Sequence, residues 1–219
     1  MAVKGPPQGR QSRSEVTRTL LLDAAQEIIA DRGYHGAAMD DIVEAADRSK
    51  GAAYFHFPSK SDIFEAVLVR LADRLENKVQ QAISPKRTAL ERLDAALTTV
   101  LSTFAKHRRM ARIALVELPA GNSPLQDTIL VMRGRFARLI ETQLDAAIAE
   151  GAIDPLNCRL VSRAWFGAIA EVVTEWLRTG NKKTLEAEMP ELCVTLLRSV
   201  GAEIEPGGAA GNNGVSQDA

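Results

Sequence analysis

Four ring side chains stand in a row at Tyr54, Phe55, His56 and Phe57, inside the stretch DRSKGAAYFHFPSK that runs from Asp47 to Lys60. Arg48, Lys50 and Lys60 frame them, and no acid lies between the first and last of these cations. Cations interleaved with hydroxyl and imidazole groups offer donors to phosphate oxygens. The same tetrad is also what an aromatic cluster in a small helical core contains. No catalytic grouping accompanies it: His35, His56 and His107 are scattered, Asp40 and Asp41 are neighbours that point apart on a helix, and HExxH, GxSxG and Walker patterns are absent. An enzyme is therefore not expected. Cys158 and Cys193 lack CxxC spacing and nearby histidines, so they are expected to be buried free thiols, with no metal and no cofactor.

The chain has 219 residues, 46% of them hydrophobic, enough for one medium domain or two small ones with a proper core. Its 27 Lys and Arg against 28 Asp and Glu leave a net charge of -1, so binding of a polyanion depends on segregation of charge along the chain. Residues 1–20 carry Lys4, Arg10, Arg13 and Arg18 against Glu15 alone, a first sign of such segregation. No window approaches 18 consecutive apolar residues, and MAVKGPPQGRQSR lacks the apolar run of a signal peptide. A cytoplasmic protein with no membrane partner is expected.

Apolar residues recur at spacings of three and four, without alternation or repeats, which predicts an all-α chain of about nine helices. The first runs from near Ser14 to Asp31 and ends at Gly33. Short helices follow at Met39–Ala46 and Ser49–Phe55, the latter stopped by Pro58. A longer fourth begins at SKSD, with Ser59 as cap and Asp62 at the positive end, and continues to about Ile83. Ser84 and Pro85 open a fifth, and a sixth lies around Met110–Leu118 before the break PAGNSP. Pro124, Pro155 and Pro190 suit the first turns of three more, with Gly151 and Gly180 as stops. The ends, residues 1–13 and 204–219, are expected to be a disordered basic arm and a disordered tail.

Two short helices joined by a tight turn and packed on a longer first helix make a helix-turn-helix, whose second short helix enters the DNA major groove. On a helix starting at Ser49, Ala53 and Phe57 share the inward face with the flank of Phe55, while Lys50, Tyr54 and the end of His56 face outward. Ser49 and Lys50 stand at the helix N-terminus, where backbone amides attract phosphate, and Gly51 and Ala52 let the backbone come close to the groove. Taken as one ungapped string, LLDAAQEIIADRGYHGAAMDDIVEAADRSKGAAYFHFPSKSDIF resembles the DNA-binding domain of the tetracycline-repressor (TetR) family of bacterial regulators. The resemblance covers about Leu20–Phe64. It implies a helix-turn-helix domain over residues 14–60, operator contacts by Lys50, Gly51, Tyr54 and His56, and a phosphate contact by Lys60. With Met39, Arg48, Ser49 and Ala52 these form the expected DNA-binding set. The chain departs from the family pattern at Ala38, where threonine usually caps the second helix, at Asp47-Arg48, where Gly-Val is usual, and at Ala52, usually threonine. Arg48 has two open readings: a phosphate contact, or a surface pair with Asp47 or Glu44.

Residues 61–203 are expected to form a helical ligand-binding and dimerisation domain. On RLVSRAWFGAIAEVVTEWLR the apolar residues Val161, Trp165, Phe166, Ile169, Val172, Val173, Trp176 and Leu177 cover more than half the circumference, wider than the stripe of about 100° that one packing face needs. The excess predicts a homodimer held by the last two helices. Leu101, Phe104, Met110, Ile113, Met132, Phe136, Ile140, Trp165 and Ile169 either line a pocket for an apolar effector or simply fill a core. KHRRMAR, Lys106–Arg112, is either a solvated face or a mouth for an anionic head group. What the resemblance implies is a repressor released from a palindromic double-stranded DNA operator by a small, largely apolar effector, such as a fatty acyl compound. The alternative is a helical regulator or adaptor with a filled core and no effector.

Overall fold

The computed structural model describes residues 8–117, 124–179 and 182–203. The basic arm before residue 8, the PAGNSP break as far as Ser123, the Gly180 stop and the tail from residue 204 lie outside the described residues. Among the described residues every element is helical: α1 Gln8–Gly36, α2 Met39–Ala45, α3 Lys50–His56, α4 Lys60–Ile83, α5 Ala89–Lys106, α6 Arg108–Arg112, a π-helical turn Ile113–Glu117, α7 Gln126–Ala149, α8 Cys158–Thr179 and α9 Lys182–Arg198. Their packing makes two units, one of Met1–Glu76 with His107–Gly134 and one of Asn77–Lys106 with Arg135–Ala219. The chain after residue 60 is therefore shared between both units instead of forming one of its own.

The first unit is built on α1, which starts at Gln8, six residues before the expected Ser14, because nothing in QGRQSR except Gly9 disfavours helix. At Gly33 (φ 72°, ψ 179°) the backbone leaves the helical region, and only the short turn to Gly36 follows. Glycine is required there by its conformation, which suits no side chain, and a carboxylate oxygen of Glu117 lies 3.0 Å from where a Cβ would stand. Beneath, Leu21, Ala25 and Ile29 of α1 meet Ile42 of α2, Ala53 of α3 and Ile63, Phe64 and Val67 of α4 in one core, which also takes in Ile113, Leu125 and Ile129 from far along the chain.

Capping explains where α3, α4, α5 and α8 begin. Ser49 Oγ accepts the Ala52 N–H at 3.2 Å, and at α4 Ser59 Oγ accepts the Asp62 N–H at 3.3 Å while donating to that carboxylate at 2.7 Å. In the second unit, Thr88 and not Ser84-Pro85 opens α5, through a reciprocal pair in which Thr88 Oγ1 accepts the Glu91 N–H and Glu91 accepts the Thr88 N–H. Asn157 and not Pro155 opens α8, its Oδ1 accepting the Leu160 N–H at 3.0 Å. Pro190 lies inside α9 instead of in its first turn. The residues before it, KKTLEAEM, are mostly strong helix formers, and Leu185 among them is completely buried, so the helix is anchored well upstream of the proline. Gly151 (φ 71°) ends α7 as expected, with the Ala152 N–H returning to the Ala147 carbonyl at 2.9 Å.

In the second unit α5 packs on α8 and α9. Trp165 donates its indole N–H to Ser199 Oγ at 3.1 Å, which ties α8 to the residue just beyond α9. Cys158 and Cys193 are buried free thiols. Burial pushes both up to about 11, with the Asp145 carboxylate adding to the shift at Cys158 and the Asp94 charge adding to it at Cys193. Among the described residues no helix is long and apolar enough to cross a membrane, and no His, Cys, Asp and Glu cluster could hold a metal.

Ala38 has the extended conformation of a capping residue (φ -117°, ψ 152°) but no side chain to cap with. Ala38→Ser is expected to raise the unfolding free energy by about 1 kcal/mol. Urea denaturation measures this, and an unchanged midpoint would show that the first amides of α2 gain nothing from a cap.

Candidate nucleic-acid interface

A seven-residue helix such as α3 cannot hold itself together, since nucleation costs more than two turns return. Its position is set from below by Ala53, with no exposed surface, and by Phe57, 3% exposed, which continues the same face just past its end. From behind, the turn Ala46–Ser49 fixes its direction: the Arg48 N–H bonds the Val43 carbonyl at 3.2 Å, and Asp47 takes a left-handed conformation (φ 51°) that a short polar side chain tolerates. The usual glycine of that turn is therefore dispensable.

With Ala53 inward, successive residues at about 100° intervals place Lys50, Tyr54, Gly51 and Phe55 on one continuous outward arc. All four are exposed, Tyr54 by 46% and Phe55 by 80%. The outward Phe55 corrects the expectation that its flank faces inward: it lies two residues from both Ala53 and Phe57, close to the opposite side of the helix. His56 is half-buried between rings, edge-on to Phe55 at 5.3 Å and tilted to Phe57 at 6.4 Å. An added Cβ at Gly51 would meet nothing within 4 Å, so the fold itself does not call for glycine there.

The remaining members of the expected DNA-binding set are placed less openly. Met39 is 7% exposed, a core residue of the first unit, and its side chain presents nothing outward; the first position of a helix that lies on a core points down when the following acids point up. Ser49 caps α3, and Ala52 is half-buried. The Arg48 guanidinium donates to the backbone carbonyl of Asp47 and not to the carboxylate of Asp47 or Glu44, which sets aside the surface pair of the two expected readings. Lys60 donates to the His35 carbonyl at 3.3 Å, and its ammonium lies 4.7 Å from the centre of the Tyr34 ring and 5.6 Å from that of Phe64. Burial lowers its pKa from the ordinary lysine value. Lysine donors at the last carbonyls of a helix are stabilising, so Lys60 closes α1 from the first position of α4. Tyr34 completes the junction, its hydroxyl 3.3 Å from Ser61 Oγ and its ring edge-on to Phe64 at 4.6 Å.

The expected effector-lining residues divide between the units. Met110, Ile113 and Met132 pack in or against the core of the first. In the second, Leu101, Ile140, Trp165 and Ile169 are buried while Phe104 and Phe136 are half-buried. Of the basic run 106–112, Arg109 forms an exposed ion pair with Asp31 at 3.2 Å.

Known proteins share this arrangement. Residues 21–67 match the family model of bacterial regulatory proteins, tetR family, and residues 86–199 match the tetracyclin repressor-like, C-terminal domain. A fatty acid metabolism regulator protein of Bacillus subtilis is 29% identical over 168 residues, covering 76% of this chain and 87% of its own. The transcriptional activator FasR of Mycolicibacterium smegmatis is 41% identical over 103 residues, 47% of each chain. The crystal structure of the regulator FadR from Bacillus subtilis in complex with stearoyl-CoA is 27% identical, with a TM-score of 0.74 over 81% of this chain and 96% of that one. A helix-turn-helix seated as α2 and α3 are, followed by a second domain that matches the same family, makes this chain a member of the tetR family of bacterial transcriptional regulators.

Proposed function

We propose that the protein is a cytoplasmic, non-catalytic homodimer that represses transcription from a pseudo-palindromic operator and is released by a long-chain acyl effector with an anionic head group. The observation that carries the DNA half of this reading is the outward arc of α3: a cation, a glycine with open space above it, a phenol and a bare phenyl ring, all held up by Ala53 and Phe57. In a major groove Tyr54 supplies a hydroxyl to phosphate, Phe55 packs on thymine methyl groups and Gly51 lets the backbone approach. Lys60, with two N–H donors left after its bond to His35, supplies a phosphate contact. Two such helices related by a twofold axis read half-sites about one helical turn apart. Lys60→Ala is expected to weaken all DNA sequences alike and flatten the salt dependence by about one unit, whereas Tyr54→Ala with Phe55→Ala removes the advantage of the operator over random DNA. Binding titrations across salt concentrations measure both, and unchanged operator affinity in the Tyr54 and Phe55 variant would remove α3 from the interface.

For the dimer, support comes from the outer face of α8. Trp176 and Leu196 are 4% and 5% exposed within the second unit, so neither is available to a partner. Leu160, Ala164, Gly167 and Ala168 fall on one exposed stripe, with Leu160 at 64%, and small residues there allow a partner helix close approach. Ala164→Glu with Ala168→Glu is expected to convert dimer to monomer without unfolding the protein. Sedimentation at micromolar concentration decides this; a wild-type monomer would end the dimer reading.

For the effector, support comes from the relative that binds stearoyl-CoA and from the second unit's own apolar residues, with Phe104 and Phe136 half-buried and Leu101, Trp165 and Ile169 buried. Repression is supported by the tetracyclin repressor-like match, while the activator FasR makes the sign of regulation a matter for a reporter assay. A ligand acts only through different affinities for two arrangements of the protein, and a coupling of about 1–3 kcal/mol reduces operator affinity up to roughly a hundredfold. Stearoyl-CoA is expected to release the operator, and operator DNA to weaken stearoyl-CoA binding by the same factor. Equal affinities with and without DNA would leave a DNA binder with a filled core.

A further inference from the structure

The cation of the outward α3 arc does not stand alone. Asp40, in the first turn of α2, holds the ammonium of Lys50, in the first turn of α3, at 2.8 Å, and the two side chains are 65% and 66% exposed. The neighbouring acid takes another path, Asp41 pairing with Arg32 at 2.7 Å. A carboxylate beside the recognition helix would be pushed away by the phosphate backbone if it stood alone. Joined to Lys50 it forms a unit with no net charge. We propose that Asp40 and Lys50 together read one G·C base pair in each half-site of the operator, an assignment that rests on α3 being the recognition helix.

The charge balance removes the simpler role for Lys50. A lysine that neutralises phosphate releases counterions, but a lysine already neutralised by Asp40 releases none. What the pair keeps is direction. The ammonium has three N–H donors and gives one to Asp40 Oδ2, which leaves two. The carboxylate keeps its other oxygen, Oδ1, as an acceptor. The hydrogen bond and the negative charge of Asp40 raise the Lys50 pKa, so the donor stays protonated.

A donor pair beside an acceptor is the complement of a G·C edge. In the major groove guanine presents two adjacent acceptors, N7 and O6, and cytosine presents its N4 amino donor next to them. Lys50 bridges N7 and O6, and Asp40 Oδ1 accepts from N4. An A·T pair alternates acceptor, donor and acceptor before its methyl group, which offers the ammonium no two neighbouring acceptors. Gly51 follows Lys50 with no protein atom within 4 Å of an added Cβ, so the start of α3 can come down to base level.

The test is a double substitution that leaves net charge unchanged, Asp40→Asn with Lys50→Met. Both positions are exposed, so the fold stands. Wild type and variant each select from a pool of randomised duplexes, and operator affinity is then measured over a range of salt. Wild type is expected to fix one G·C pair at the same place in each half-site. The variant is expected to lose about tenfold in preference at that pair, to keep the other positions and to keep the wild-type salt dependence. If the variant selects the same G·C pair, or loses affinity uniformly with a salt dependence flatter by about one unit, the pair is a surface bridge or Lys50 is a phosphate anchor, and the assignment is overturned. A wild-type consensus without such a G·C pair also overturns it. If wild type enriches no sequence at all, the reading of α3 itself fails.

Discussion

Contact between Ala53 and the core beneath it is the constraint on which the interface rests. Two turns of helix lack the cooperativity to persist in water, so α3 has order only because its inward face is buried. Alanine there matters for size as much as for polarity: it has no exposed surface, so any larger side chain would lift the helix away from α1 and α2, on which it packs. Lifting changes the angle at which Lys50, Tyr54 and Phe55 are presented. The geometry of the outward residues is thus a property of the inward ones.

The junction of α1 with α4 is the second fixed point, and it is built differently. Gly33 breaks α1, and Lys60, Tyr34, Ser61 and Phe64 then bind the end of α1 to the start of α4 through one carbonyl, one hydroxyl pair and two rings set edge to face. Lys60 pays for this position in desolvation, since its ammonium is drawn over two rings and its pKa falls. A lysine so placed is stiffer than one on an open surface, with less side-chain entropy left to lose.

How much of this was legible in the sequence depended on what kind of signal each residue carries. Local signals read well: the serines at 49 and 59 fix the starts of α3 and α4, the glycines at 33 and 151 fix breaks, and the ungapped string from Leu20 to Phe64 gives the helix-turn-helix. Thr88 and Asn157 were readable by the same rules, but prolines nearby drew the boundaries toward themselves. Phe55 was misplaced because an aromatic ring invites burial, although its angle from Ala53 already put it outside. Pro190 was misread because the burial of Leu185, a tertiary fact, outweighs a local preference. Effector-lining residues were illegible in principle, since cores and apolar pockets are built from the same side chains, and packing sent Met110, Ile113 and Met132 to one unit and Trp165 and Ile169 to the other.

That division has a mechanical consequence inside the first unit. Ile113, Leu125 and Ile129 lie in the same core as Ala53 and Phe57, so residues more than fifty positions beyond the helix-turn-helix help to set its packing. Densely packed cores transmit displacement because they have no free volume in which to absorb it. The segment that delivers Ile113 is a π-helical turn, in which each hydrogen bond spans one residue more than in an α-helix. Its last residue, Glu117, lies against Gly33, the break in α1. Regularising that turn to α geometry would rotate Glu117 by roughly 100° about the helix axis and take its carboxylate off Gly33. A change along 107–134 therefore reaches α1 through two contacts, one buried at Ile113 and one at the glycine, without needing a hinge.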